Sequence, residues 1–167
     1  MQYEGRYKMH IQLPFHEFLQ QKGYFQIGSG RHGVAYKKDE FVYKFFFSTH
    51  QQEAFRNGLP WDKWNFIYAS IYTGKFQHLR ASQEKMEGIT DFIIMKTPWI
   101  QNINIHELNE KIVFSAFGLL MTELKFFGIY ISDVHSTENV LYHNHIDEST
   151  RTIFALPVDV DLAVTPK

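Results

Sequence analysis

The chain has 167 residues, a formal net charge of −1 and a 44% hydrophobic composition, which suits one compact domain or two small lobes and excludes a disordered chain. That charge gives no basic footprint for nucleic acid, and the lack of cysteine excludes disulfides and thiolate metal sites. Residues 1–8 lack the apolar run of a signal peptide and no stretch is long and apolar enough to span a bilayer, so a soluble cytoplasmic protein is expected, with a core of large aromatic rings.

Residues 1–13 read as an irregular or extended lead-in. Residues 14–23 suit a short helix, with Pro14 at its first position, Gly23 as its C-terminal cap, and Phe15, Phe18 and Leu19 on one face. Residues 24–27 are a strand, and Gly28-Ser29-Gly30-Arg31-His32-Gly33 is a tight glycine turn. Residues 34–36 form the returning strand, 38–40 a polar turn and 41–46 a third strand. The G-x-G-x-x-G pattern therefore lies between antiparallel strands. A dinucleotide fold needs a helix after the glycines, and none is readable. A hairpin of this kind either folds over phosphates, through backbone N–H groups that glycine leaves accessible, or holds no ligand. Lys44 is the only charge in its strand and shares a face with Val42 and Phe46. It either snorkels at a sheet edge or reaches a fixed anion.

Residues 49–57 suit a short helix whose only acid is Glu53. A second helix over 61–72 puts Trp64, Ile67, Tyr68 and Ile71 on one core-facing side. Residues 76–80 and 92–96 read as two further strands, completing a five-stranded sheet. The longest helical pattern covers 105–127, with Leu108, Ile112, Phe114, Ser115, Leu119 and Thr122 marking a broad apolar face expected to be buried. Gly128 ends it.

Residues 128–141 then give a short apolar strand, an aspartate, a loop, an asparagine and an apolar pair. A proton acceptor at Asp133 near an amide metal ligand at Asn139 is what phosphoryl transfer needs. Residues 142–151 look polar and turn-rich, and 153–156 look like a strand leading to Pro157-Val158-Asp159. That hairpin would set Asn139 beside Asp159, oxygen ligands suited to Mg2+ on phosphates. Asp161 is a second acid on the same side. His135, His143 and His145 form no zinc motif, since there is no cysteine and no helical H-x-x-x-H pair.

Taken in order, the glycine turn at 28–33, Phe41-Val42-Tyr43-Lys44, the Asp133 to Asn139 loop and Pro157-Val158-Asp159 resemble the motif set of the protein-kinase-like superfamily over about residues 27–163. The resemblance implies an α+β, two-lobed minimal kinase fold. Residues 1–98 would be an N-lobe with an antiparallel sheet, glycine-rich loop and hinge. Residues 99–167 would be a truncated, mostly helical C-lobe with the catalytic loop. It implies ATP and Mg2+ as cofactors. Gly28, Ser29, Gly30 and Gly33 would cover the phosphates, and Lys44, held by Glu53, would bind them. The backbone at Met95 and Lys96 would meet the adenine. Asn139 and Asp159 would hold the metal, with Asp161 as a second ligand or the true one. Asp133 would take the proton of a substrate hydroxyl, on a protein.

The pattern has departures. Ile131-Ser132 replaces the usual His-Arg, and Asp133 and Asn139 are one residue further apart than in ordinary protein kinases. His135 resembles the Asp-x-His of aminoglycoside-type small-molecule phosphotransferases. Asp161 stands where Asp-Phe-Gly has glycine, and nothing matches the activation segment or the Ala-Pro-Glu motif. This is similar to trimmed kinases among bacterial effectors, toxins and phage proteins, with a host cytoplasm as the location of a secreted effector. Two alternatives stand beside the kinase: a pseudokinase acting as an interaction module, and a small-molecule kinase. The partners expected are a protein substrate and an activating host or cognate protein, with neither nucleic acid nor membrane.

Overall fold

Strands rich in aromatic and β-branched residues pair wherever one face can be buried, and among the described residues they give an α+β arrangement with a five-stranded antiparallel sheet and three α-helices. The computed structural model describes residues 13–30, 32–47, 55 and 58–166. These divide into two compact units, one within 1–56 and 79–99, the other within 57–78 and 100–167. The segment 57–78, which the resemblance puts in the N-lobe, falls in the second unit. The short helix read over 49–57 lies outside the described residues except for Phe55, and Glu53 lies outside them.

The first unit contains α1 (Leu13–Gln21), β1 (Phe25–Ser29), β2 (Gly33–Lys38), β3 (Phe41–Phe47), β4 (Ser82–Met86) and β5 (Ile89–Pro98), with sheet order β1-β2-β3-β5-β4. Helix α1 ends where Gly23 takes a φ of 91°, and Tyr24 N–H donates back to the Leu19 carbonyl at 3.0 Å. This is the glycine stop that the sequence announces. One sheet face is the core: Val34, Tyr36, Tyr43, Phe45 and Ile94 pack with Leu19 and Tyr24. Phe15 stacks on Phe92 at 5.3 Å, and both meet Phe45 edge-on. Each large side chain so buried contributes about 1.5–3 kcal/mol before entropy is counted.

The fourth strand is not where the apolar pattern put it. Residues 76–80 form turns, and Phe76 is buried in the second unit, 5.2 Å from the Phe154 ring and 5.9 Å from Tyr72. Strand β4 is instead Ser-Gln-Glu-Lys-Met, an edge strand paired only to β5. A polar edge strand leaves little periodic apolar signal and resists pairing with another chain.

The second unit contains α2 (Pro60–Ser70), α3 (Glu110–Phe126) and a hairpin of β6 (Val140–Asp147) and β7 (Thr150–Pro157). Helix α2 buries Trp64, Ile67 and Tyr68 as its spacing demands. It stops at Ser70, before a short turn in which Tyr72 and Thr73 adopt φ of 55° and 53°. Helix α3 starts at Asn109, whose side chain accepts the Lys111 N–H at 2.7 Å. Its apolar face is a correction to the sequence reading. Ala116, Leu120 and Leu124 are buried, whereas Ile112, Phe114 and Leu119 are exposed, Phe114 by 81%. The helix is apolar on several sides, so periodicity alone could not choose between them.

The hairpin is also longer than expected. Eight residues of each strand pair in unbroken register from Val140↔Pro157 to Asp147↔Thr150. Residues 142–147, read as polar loop, are strand because Phe76 covers the His143 and His145 rings at 5.8 and 5.3 Å. Among the described residues, no helix is long and apolar enough to cross a membrane.

Candidate functional site

In the first unit the register builds a row of side chains across the sheet. Gly28 pairs with Ala35, Ala35 with Lys44, Lys44 with Met95, and Met95 with Gln83. Residues opposite one another in antiparallel strands share a face, so the row lies on the face away from the aromatic core. Neighbouring strands are about 4.8 Å apart, which puts Gly28 roughly 10 Å from Lys44 with only the methyl of Ala35 between. The result is a shallow floor beside an ammonium. Lys44 is half-buried, and its Nζ lies 5.1 Å from the centre of the Phe46 ring on the same face.

The two glycines at the ends of the glycine pattern differ in what requires them. At Gly33 a Cβ would run into the Phe45 carbonyl and reach 3.2 Å from Phe46 Cα, so the sheet itself excludes a side chain. At Gly28 a Cβ would meet nothing within 4 Å. Packing therefore explains Gly33 and leaves Gly28 unexplained. The turn between them is closed by Gly30 N–H donating to the Gly33 carbonyl at 2.7 Å. Ser29 pairs with Val34, on the core side.

Met95 and Lys96 lie inside β5 rather than beyond it, so the segment read as a hinge is paired strand as far as Pro98. Strand alternation puts Lys96 on the opposite face from Lys44, over the Phe41 ring at 4.0 Å and 4.0 Å from Glu84 Oε2. The side chain of Lys96 is therefore not part of the Lys44 row.

In the second unit the loop of Asp133 to Asn139 is closed on itself. Asn139 Nδ2 donates to the Asp133 carbonyl at 2.7 Å, and His135 and Glu138 exchange backbone bonds at 3.1 Å around a tight turn. Asp133 and Asn139 both take left-handed φ, 61° and 63°. Asn and Asp tolerate that region better than other side chains, and such residues cluster at working sites. The Tyr142 hydroxyl donates to the Ser136 carbonyl at 2.7 Å and braces the loop from β6. Val158 N–H donates to the Asn139 carbonyl at 3.2 Å, so Asn139 and the chain entering Asp159 meet at the open end of the hairpin.

With its Nδ2 engaged, Asn139 offers Oδ1 as a ligand atom. Asp159 is half-buried, whereas Asp161 is only 2% exposed. No group of three His, Cys, Asp or Glu among the described residues could hold a metal by itself. An amide and carboxylate oxygens are hard donors that fit Mg2+, which habitually completes its shell with water and phosphate.

Sequence reading missed the device that supports this segment. Among the described residues strand β7 has one partner strand, so carbonyls on its other edge need donors. Helix α2 and the turn after it supply them. Tyr72 donates to the Ala155 carbonyl at 2.7 Å and Tyr68 to the Pro157 carbonyl at 2.5 Å, and beyond the end of the strand Lys63 Nζ donates to the Asp161 carbonyl at 2.6 Å. Burial pushes the Tyr68 and Tyr72 phenols well above their usual range, with neighbouring Tyr72 adding to the first and Glu123 to the second, so both stay protonated donors. Tyr72 is fixed in turn by its backbone N–H, which donates to Glu123 Oε1. The legible signal was Lys63, a lysine four residues before Ile67 on an otherwise apolar helix face.

The two halves of the expected site thus belong to separate units: Gly28, Lys44 and Met95 to the first, Asp133, Asn139, Asp159 and Asp161 to the second. No family model matches the chain, and no curated protein matches it.

Proposed function

We propose that the chain is a minimal ATP-dependent phosphotransferase of the protein-kinase type, which transfers the γ-phosphate to a hydroxyl on a protein. The observation that carries it is the closed loop from Asp133 to Asn139, tied through Val158 to the segment of Asp159. Those bonds bring the backbone at Asp133, Asn139 and Val158 together at one end of a hairpin, where Asp133, Asn139 and Asp159 would supply a proton acceptor, an amide oxygen and a carboxylate. The Gly28–Ala35–Lys44 row supports the same reading, because an ammonium beside a glycine and a methyl suits a nucleotide's phosphates and base.

The two units are read as the lobes of such a kinase. Lys44 and the amides of the glycine turn would hold the phosphates, and Asn139 with Asp159 would hold Mg2+. The metal supplies neutralisation of phosphate charge. Asp133, which is exposed, orients the acceptor hydroxyl and takes its proton as the hydroxyl oxygen bonds to the γ-phosphorus and the bond to the ADP oxygen breaks. Little covalent work falls to the protein, so positioning and charge neutralisation in a small scaffold suffice. We place the protein in a cytoplasm, that of a host for a secreted effector, with a host or cognate protein as activator.

The test is transfer of label from γ-labelled ATP to the protein itself or to lysate proteins, comparing wild type with Asp133→Ala. A nucleotide-dependent gain in thermal stability with no transfer to any acceptor would favour a pseudokinase instead. A labelled metabolite with no labelled protein would favour a small-molecule kinase.

A further inference from the structure

Lys63 carries a charge that the phosphotransfer scheme above does not use. It is 2% exposed, on a helix face otherwise made of Trp64, Ile67, Tyr68 and the following Ile71, and Trp64 and Tyr68 stack at 4.4 Å. A buried ammonium is costly unless it is paired and hydrogen-bonded, and a leucine or methionine would serve packing better. Its Nζ reaches across 98 positions of sequence to the Asp161 carbonyl at 2.6 Å, and Asp161 is itself 2% exposed. The ammonium is therefore bonded to the main chain of a second buried charged residue, two residues beyond Asp159. Asp159 is the more exposed of the two acids.

We propose that Lys63 is a positioning residue for the metal-binding segment: it pins the main chain at Asp161 so that Asp159 presents its carboxylate to a divalent cation, and Asp161 is the buried balance of the lysine charge rather than a metal ligand. The bonds from Tyr68 to Pro157 and from Tyr72 to Ala155 hold the approach to the same segment, so α2 and the turn after it fix it at three points. The inference rests on the phosphotransferase reading for the identity of the cation site. It goes beyond that reading in assigning Lys63 and in choosing between Asp159 and Asp161.

The experiment uses the full chain with Mn2+ in place of Mg2+ and a non-hydrolysable ATP analogue. Mn2+ affinity is measured by the resonance signal of the free ion, and analogue affinity without divalent cation is measured in parallel. Lys63→Met should weaken Mn2+ binding by about 10- to 100-fold, the usual effect of removing a group that orients a ligand, with metal-free analogue affinity unchanged. Coulomb's law alone predicts the opposite sign, because deleting a nearby ammonium should tighten cation binding. Lys63→Arg should recover part of the loss. Asp159→Asn should lose Mn2+ at least as severely, while Asp161→Asn keeps near-native Mn2+ affinity and melts lower. A folded Lys63→Met with wild-type Mn2+ affinity overturns the proposal, as do equal losses in the two aspartate variants. If Lys63→Met does not fold, the aspartate pair decides alone. Wild type that binds no Mn2+ with the analogue sinks the phosphotransferase reading and this inference together, an outcome distinct from the others.

Discussion

The two units hold the residues proposed for phosphoryl transfer by different physics. In the first, Gly28, Ala35, Lys44 and Met95 are aligned by strand register alone, on a sheet face whose other side carries the aromatic core. In the second, Asp133, Asn139 and Asp159 sit on irregular backbone held by named side-chain bonds from Asn139, Tyr142, Tyr68 and Lys63. The first arrangement should tolerate changes at its exposed Gly28 end as long as the sheet survives. The second should fail through single polar groups.

The largest effect expected is on the second unit's packing. Leu120 is fully buried in α3, so Leu120→Ala should cost about 2–5 kcal/mol. Phe114, exposed on the same helix, should tolerate alanine within about 0.5 kcal/mol. Chemical denaturation of both variants checks this, and equal costs would mean that the helix face is wrongly assigned.

On the first unit, Lys44→Met should lower phosphoryl transfer by about 100-fold, the scale of losing one preorganised electrostatic group. Stability should change by about 1 kcal/mol or less, because methionine of similar length suits the Phe46 ring. Activity retained at unchanged melting temperature would assign Lys44 to the sheet edge only.

The glycine pair sharpens the contrast within the sheet. Gly33→Ala forces a methyl into the β3 backbone and should cost about 1–3 kcal/mol. Gly28→Ala has open space and should leave stability within about 0.5 kcal/mol, yet lower affinity for an ATP analogue. Unchanged affinity in a folded Gly28→Ala would remove this glycine from the site.

The smallest effect is a pH dependence. Burial pushes the Tyr36 phenol up to about 12 in the first unit, and it also raises the Tyr68 and Tyr72 phenols in the second. A raised phenol keeps its proton in the folded state while the unfolded chain loses it above pH 10. Stability should therefore be level below that point and fall as pH climbs from 10 through the folded values. Tyr68→Phe, which keeps the ring and drops the titrating group, should flatten that fall. A level stability from pH 9 to pH 12 would contradict the burial of these phenols.

Legibility followed the same divide. The glycine turn, β3 and the face of α2 could be read because period-two or helical spacing and stop residues such as Gly23 act locally. The polar edge strand β4 and the His143-Asn144-His145 stretch of β6 could not. What makes them strand is β5 in one case, and β7 with Phe76 in the other, all separated from them along the chain. Asp133, Asn139 and Asp159 are proposed from sequence order alone. Their support was not legible, since Lys63, Tyr68 and Tyr72 reach carbonyls that no local pattern exposes.

The central claim is that Asp133 serves as proton acceptor in a phosphoryl transfer. Initial rates of label transfer from γ-labelled ATP, with melting temperatures on the same preparations, test it most directly. Asp133→Asn should melt with wild type, since asparagine tolerates the φ of 61°, Asp133 is exposed and the bond to Asn139 uses its backbone carbonyl. It should transfer about 100- to 10,000-fold more slowly, the range for losing a general base. Equal rates in the two proteins, whether both measurable or both at background, would contradict the account.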